Sequence, residues 1–418
     1  MIRRIEAFNY RCLKKIDCRL DDFQILVGQN ASGKTTFLDV VTFLGDLVRD
    51  GLDAAIDNRT SNFHDLVWGR KGDRFELSIE SEIPEKYRSI LEMDFSLVRY
   101  EISFGLSENG ELCILAERGV LKNDELPTIS QEKLIFPDAP PDVSTILSHV
   151  RNPKFRTVFS KVLGKNDNYY SETYKEKGKG WKPSMRLGPR RSTLGNLPED
   201  ESNLPVSTWL KNLLAEGVQQ IVLNSQLIKR ASPPGQARQF KPDGSNLAWV
   251  VQKLKDEAPE RFSDWVRHVR STLPDIVDIR TVLREEDRHR YIMVKYDSGL
   301  DAPSWMLSDG TLRMLALTII AYMPDFSGVY LIEEPENGIH PGAVQAVFAS
   351  LQSVYDAQIL LATHSPVILS MAEARQVLCF AKTKAGYVDI VRGDRHPNLR
   401  EWQGETNLGE LFAGGVLG

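Results

Sequence analysis

The stretch "GQNASGKT", Gly28 to Thr35, follows the apolar run "FQILVG" and opens the periodic segment "GKTTFLDVVTFLGDLV". That order predicts a buried strand, a tight turn and a helix. In this setting the pattern G-x-x-x-x-G-K-[ST] is a phosphate cradle. The main chain of Gly28, Gln29, Asn30, Ala31, Ser32 and Gly33 can turn its N–H groups onto a β-phosphate, and the helix that follows adds the positive end of its dipole. Lys34 would reach the β/γ oxygens, the Thr35 hydroxyl would ligate Mg²⁺, and Thr36 lies beside them in the first turn. A glycine-rich turn that matches by chance is the plain alternative. A strand before it and a helix after it weigh against that.

The second informative stretch is "VYLIEEPENGIHP", Val329 to Pro341, an apolar run that ends in Glu333 and Glu334. Two carboxylates at the end of a buried strand repel each other and lose hydration unless they face something cationic. A nucleotide-bound Mg²⁺ needs a carboxylate there, and hydrolysis needs a base for the attacking water. Successive strand residues point in opposite directions, so the two acids have separate tasks. Glu333 is assigned to the metal and Glu334 to the water, where general-base help is typically worth about 10²–10⁴-fold. A solvated strand end that caps the next helix is the alternative for the acids taken alone. "LSDGT", Leu307 to Thr311, places Ser308 and the Gly310 amide at a predicted helix start, either a second anion site or an ordinary N-cap. "LLATHSP" ends a further apolar strand in His364, which either contacts a γ-phosphate or serves the structure alone.

Phosphate loop, long middle region, LSDGT, LIEEPENGIHP and ATHSP, in that order, resemble the ABC-type ATPase superfamily. More narrowly they resemble the SMC/RecF/OLD group of DNA-repair and phage-defence ATPases. The likeness rests on roughly residues 1–50 and 300–370. It implies an α/β ABC-ATPase head: a parallel sheet flanked by helices, an antiparallel β subdomain, and a mixed, partly helical insertion. It implies ATP and Mg²⁺, and a homodimer or higher oligomer in which two heads close over ATP. In such a sandwich Ser308 and Gly310 would act on the partner's γ-phosphate, with Glu334 catalytic and His364 as switch histidine. Glu333 stands where the family usually has Asp, and His340 where transporters carry a D-loop Asp. The family's Q-loop glutamine is left unassigned in the middle region. OLD-type nucleases append a cluster of metal-binding acids after the switch histidine. Here "QVLCFAKT" and "YVDIVRG" read as two closing strands, so any toxic or nuclease activity is expected in a separately encoded effector.

The rest of the chain sets limits. Its 418 residues carry a net charge of −5, with 42% hydrophobic and 26% charged residues, a globular balance with no overall attraction to nucleic acid. No run of about 18 apolar residues and no leader pattern appear, so a cytoplasmic protein without membrane contact is expected. Cys12, Cys18, Cys113 and Cys379 have neither metal nor disulfide spacing. Residues 1–120 are expected to form the N-terminal lobe, 121–245 an insertion and 246–418 the C-terminal lobe. A single helix is expected from about Asn246 to Thr272. Between 151 and 191 twelve Lys or Arg stand against three acids, with Tyr169, Tyr170, Tyr174 and Trp181 among them. This run is either a DNA or RNA contact or a solvated face paired with the acids at 198–201. Three functions stay open. The first is slow, ATP-driven head dimerisation in phage defence or DNA maintenance. The second is an ATP-gated scaffold that holds and releases an effector without acting on DNA. The third, a transporter's nucleotide-binding subunit, is disfavoured by the long middle region and the EEPENGIHP form.

Overall fold

The runs "FQILVG", "GVYLIE" and "AQILLA" are buried along nearly their whole length, as strands are when helices cover both sheet faces. The computed structural model describes residues 1–91, 93–123, 135–148, 154–173, 182–236, 239–400 and 407–415. Strands β1 (Ile2–Tyr10), β2 (Leu13–Arg19) and β3 (Phe23–Gly28) precede helix α1 (Lys34–Asp50). Then come β4 (Arg74–Glu82), β5 (Leu97–Leu106), β6 (Leu112–Lys122), β7 (Arg156–Val162), β8 (Asp167–Tyr169) and β9 (Ser184–Met185). Strands β10 (Val218–Ile221), β11 (Ile276–Leu283), β12 (Arg290–Tyr296) and β13 (Asp301–Pro303) follow. The last four are β14 (Gly328–Glu333), β15 (Ala357–Ala362), β16 (Val377–Lys382) and β17 (Val388–Arg392).

These strands form three sheets. An antiparallel sheet runs β2-β1-β4-β5-β6-β7-β8-β9, and a small one runs β11-β12-β13. The central sheet runs β10-β14-β15-β3-β16-β17 and is parallel except for β17. The ABC-type head expected from the sequence, a helix-flanked parallel sheet with an antiparallel subdomain, is thus present. The 121–245 stretch supplies β7, β8 and β9 to the antiparallel sheet and β10 to the central one.

Helix α1 lies between the two large sheets. Its Phe37, Val41, Phe43 and Leu44 pack with Phe75 and Phe104 of the antiparallel sheet and with Val329 and Leu360 of the parallel one. Alternation along β3 divides its side chains between two cores. Leu26 faces α1, whereas Ile25 and Val27 face the second core, with Trp265, Leu315 and Phe348. Two buried glutamines fasten the strand ends. Gln358 on β15 accepts from the Ile2 N–H at 2.8 Å and donates to the Ile2 and Asp21 carbonyls at 2.7 and 3.0 Å. Gln24 on β3 donates to the Gln376 carbonyl at 2.6 Å.

The single helix expected from Asn246 to Thr272 is two helices, Leu247–Glu257 and Pro259–Thr272. Pro259 has no N–H to continue the ladder and excludes the helical conformation at the residue before it. Ala258 accordingly sits at φ −143°, ψ 68°. Among the described residues, no helix is long and apolar enough to cross a membrane.

Candidate functional site

The phosphate loop links the end of β3 to α1 and leaves no room for side chains at its first position. A Cβ on Gly28 would stand 2.3 Å from the Phe380 carbonyl oxygen of β16. Lys34 folds back over the loop, and its Nζ donates to the Gly28 and Gln29 carbonyls at 2.8 and 3.1 Å. Burial pushes its ammonium down to about 8, against the opposing pull of Glu334 and Glu333. Thr36 meets Cys12 Sγ at 3.3 Å. One turn further along α1, Asp39 accepts from the Tyr10 hydroxyl, Arg11 and Arg59 at 2.6, 2.9 and 2.7 Å, fixing the β1–β2 turn beside the loop.

The two acids of β14 diverge. Glu333 Oε2 accepts from the Thr35 hydroxyl at 2.5 Å, and its Oε1 accepts from Gln220 Nε2 at 3.1 Å. Glu334 accepts instead from the Asn337 side-chain amide. Its backbone N–H extends the parallel ladder to the Ala362 carbonyl at 2.8 Å, and its φ is +48°. A non-glycine residue in that region costs of order 1–3 kcal/mol and persists only where its surroundings fix it.

His364 follows β15 directly. Glu336 steadies this strand end, accepting from the Thr363 hydroxyl at 2.7 Å and the His364 N–H at 3.1 Å. Burial and the Lys34 cation hold the His364 imidazole below its ordinary range, against the carboxylates of Glu334 and Glu336. On its far side the Phe412 ring lies 6.3 Å away, carried by the C-terminal helix Leu408–Ala413.

Ser308 is the N-cap of the helix Asp309–Ile319, its hydroxyl accepting from the Thr311 N–H at 3.1 Å. Gly310 packs so closely on the acidic loop that a Cβ would stand 2.6 Å from the Gly338 carbonyl oxygen. Among the described residues, no hydrogen bond joins Ser308 or Gly310 to the phosphate loop of the same chain. His340 caps the next helix, its Nδ1 accepting from the Gly342 N–H at 3.2 Å.

Lys34, Thr35, Glu333, Glu334 and His364 therefore gather at one edge of the central sheet, while Ser308 and Gly310 adjoin the acidic loop. Hard oxygen donors converge where Thr35 meets Glu333, which fits a small divalent cation. Sequence reasoning missed Gln220 and the bracing carboxylate Glu336. The four-residue strand "VQQI" carries too short a pattern to reveal that it borders β14, and Glu336 reads as part of a loop.

The basic run behaves differently. Lys161 is buried against Asp167 at 2.5 Å, Arg156 donates to the Ser171 carbonyl at 2.6 Å, and Arg190 pairs with Asp53. Tyr169 is fully buried, its hydroxyl donating to the Thr193 carbonyl at 3.0 Å. Lys182, Arg186 and Arg191 are exposed. Arg151, Tyr174, Lys175, Lys177, Lys179 and Trp181 lie outside the described residues.

Residues 23–370 match the AAA_21 family model, described as "AAA domain, putative AbiEii toxin, Type IV TA system". The chain belongs to the AAA_21 family. Two solved structures share its fold. One is an Smc head bound to the C-winged helix domain of ScpA, with 15% identity over 93% of this chain and 97% of that one, at a TM-score of 0.50. The other is the Smc head domain with an extended coiled coil bound to the C-terminal domain of ScpA derived from Pyrococcus furiosus. It has 13% identity over 93% of this chain and 95% of that one, also at 0.50. No curated protein matches the chain by sequence. This AAA_21 chain has the fold of an SMC head.

Gly310→Ala should drive the helix Asp309–Ile319 off the Gly338 carbonyl. Such overpacking typically costs about 1–3 kcal/mol. A lower urea midpoint at an unchanged m-value is expected, and a wild-type midpoint contradicts this packing.

Proposed function

We propose that this AAA_21 chain binds ATP with Mg²⁺ and hydrolyses it slowly at a composite site formed when two copies close on each other. Closure is its output, sensed by a separately encoded effector in phage defence or DNA maintenance. The observation that carries the reading is the convergence of Lys34, Thr35, Glu333, Glu334 and His364 on one sheet edge. Among the described residues no hydrogen bond joins Ser308 or Gly310 to the chain's own phosphate loop, and the exposure of Ser308 supports action in trans. Any contact with DNA or RNA through 151–191 would draw on the exposed Lys182, Arg186 and Arg191.

Each residue has a separate task. The Lys34 ammonium and the loop amides bind the β/γ oxygens. Thr35 and Glu333 hold Mg²⁺, which supplies charge neutralisation on the phosphate oxygens. Gln220 orients the Glu333 carboxylate. Glu334, turned off the strand by its left-handed backbone, accepts a proton from the attacking water. Neutral His364 offers a ring N–H to the γ-phosphate, and Glu336 keeps its backbone in place.

Glu334→Gln should retain ATP affinity while hydrolysis falls about 10²–10⁴-fold. Nucleotide-dependent dimers should then accumulate in light scattering. Turnover at the wild-type rate contradicts the role assigned to Glu334.

The depressed Lys34 predicts a pH dependence with a definite sign. Phosphate stabilises the ammonium form and raises its pKa on binding. Above about pH 8, where the free residue loses its proton, binding must take one up. The ATP dissociation constant should therefore rise with pH above about 8, by at most tenfold per unit, and calorimetry in two buffers should detect proton uptake. Lys34→Arg should flatten this dependence. A pH-independent constant in the wild type contradicts it.

A further inference from the structure

The acidic loop holds a chemically labile pair, Asn337–Gly338. The turn that starts at Glu334 is closed by the Asn337 N–H, which donates to the Glu334 carbonyl at 3.0 Å. Both Asn337 and Gly338 are exposed to water. Among the described residues the Gly338 N–H makes no hydrogen bond, and glycine has no side chain to shield its nitrogen. The chain carries a second pair of the same kind, Asn109–Gly110, also exposed, between β5 and β6. The two glycines share a backbone conformation, with φ +74° at Gly338 and +77° at Gly110. The Gly110 N–H, however, is engaged, donating to the Ser107 carbonyl at 2.8 Å. The pairs thus differ in the group that acts as nucleophile when an asparagine deamidates.

We propose that Asn337 is a site of spontaneous deamidation, and that its conversion disables the turn that holds Glu334. The Gly338 nitrogen attacks the Asn337 side-chain carbonyl carbon and gives up its proton. The bond from that carbon to the side-chain nitrogen breaks, ammonia leaves, and a cyclic imide remains. Water opens the imide at either carbonyl and leaves aspartate or isoaspartate, with no oxidant, metal or enzyme consumed. In the intact loop the Asn337 amide donates to the Glu334 carboxylate. Either product replaces that donor with a second carboxylate, which repels the first. Isoaspartate also adds a methylene to the main chain just before Gly338, whose carbonyl meets Gly310 with no room for a Cβ. The chemistry rests on the loop alone, and only its effect on turnover rests on the role proposed for Glu334.

The test incubates nucleotide-free wild-type protein in mildly alkaline buffer and follows it by peptide mass mapping and isoaspartate analysis. Asn337 should convert about fivefold faster than Asn109, the equivalent of the hydrogen bond of about 1 kcal/mol that Gly110 must break. ATP turnover should fall in step with the Asn337 product, and the urea midpoint of the isoaspartate fraction should fall with it. Asn337→Gln, compared with itself before incubation, should keep its turnover, and Asn337→Asp should be slow from the start. Conversion at Asn337 no faster than at Asn109 overturns the site. Conversion that leaves both turnover and midpoint unchanged overturns its consequence. Failure of the ATP reading would look different: fresh protein would not hydrolyse ATP, while Asn337 would still convert and the midpoint would still fall.

Discussion

The parallel register of β3, β14 and β15 is the constraint on which the rest depends. Leu26 stands opposite Ala362, and Ala362 opposite Glu333, so three strands far apart in sequence end level with one another. Gly28, the Glu333–Glu334 pair and the Thr363–His364 pair are thereby brought to one edge. Ligands of open α/β sheets bind at such carboxyl ends. A slip of one residue would exchange the faces of every side chain on a strand. It would also strand the buried amides of Gln24 and Gln358, whose bonds to main-chain groups are satisfied in this register alone.

At that edge, burial and charge are balanced within a few ångströms. Lys34 loses hydration and is lowered towards neutrality, and the two carboxylates oppose that loss. The same lysine helps to keep His364 neutral. The turn after β14 then links this edge to the signature. Glu334 adopts a left-handed backbone, Asn337 binds its carboxylate, and Gly338 receives Gly310 in direct contact. With no space between those backbones, a displacement of the signature helix is carried to the turn that holds Glu334. Under the proposed trans arrangement, nucleotide contacts at Ser308 and Gly310 would in this way reach Glu334.

The parts of this arrangement legible in the sequence are those written in local pattern. "FQILVGQNASGKT" and "VYLIEE" combine a buried strand with residues whose chemistry has few other uses, and strand alternation alone separates Glu333 from Glu334. What stayed hidden depends on tertiary pairing. Strand β10 has four residues, two of them glutamines, and acquires its place only by pairing with β14. Gln220 therefore carried no signal of its own, and the glutamine of the middle region stayed unassigned. Glu336 reads as a third loop acid until Thr363 and the His364 N–H are seen to bind it. The break at Ala258 was legible in Pro259 and was outweighed by the helical pattern on either side. Lys161 and Tyr169 looked like members of a surface patch because composition does not record that Asp167 and Thr193 bury them.

The central claim, that the phosphate loop of one chain works with the signature of another, is tested most directly by complementation. Chains carrying Lys34→Ala are mixed with chains carrying Ser308→Arg, each inactive alone, and ATP turnover is measured after mixed dimers have been demonstrated by native mass spectrometry. Every mixed dimer then holds one intact loop facing one intact signature, and turnover should reappear in proportion to the mixed dimer present. Mixed dimers that remain as inactive as either parent would contradict the trans arrangement.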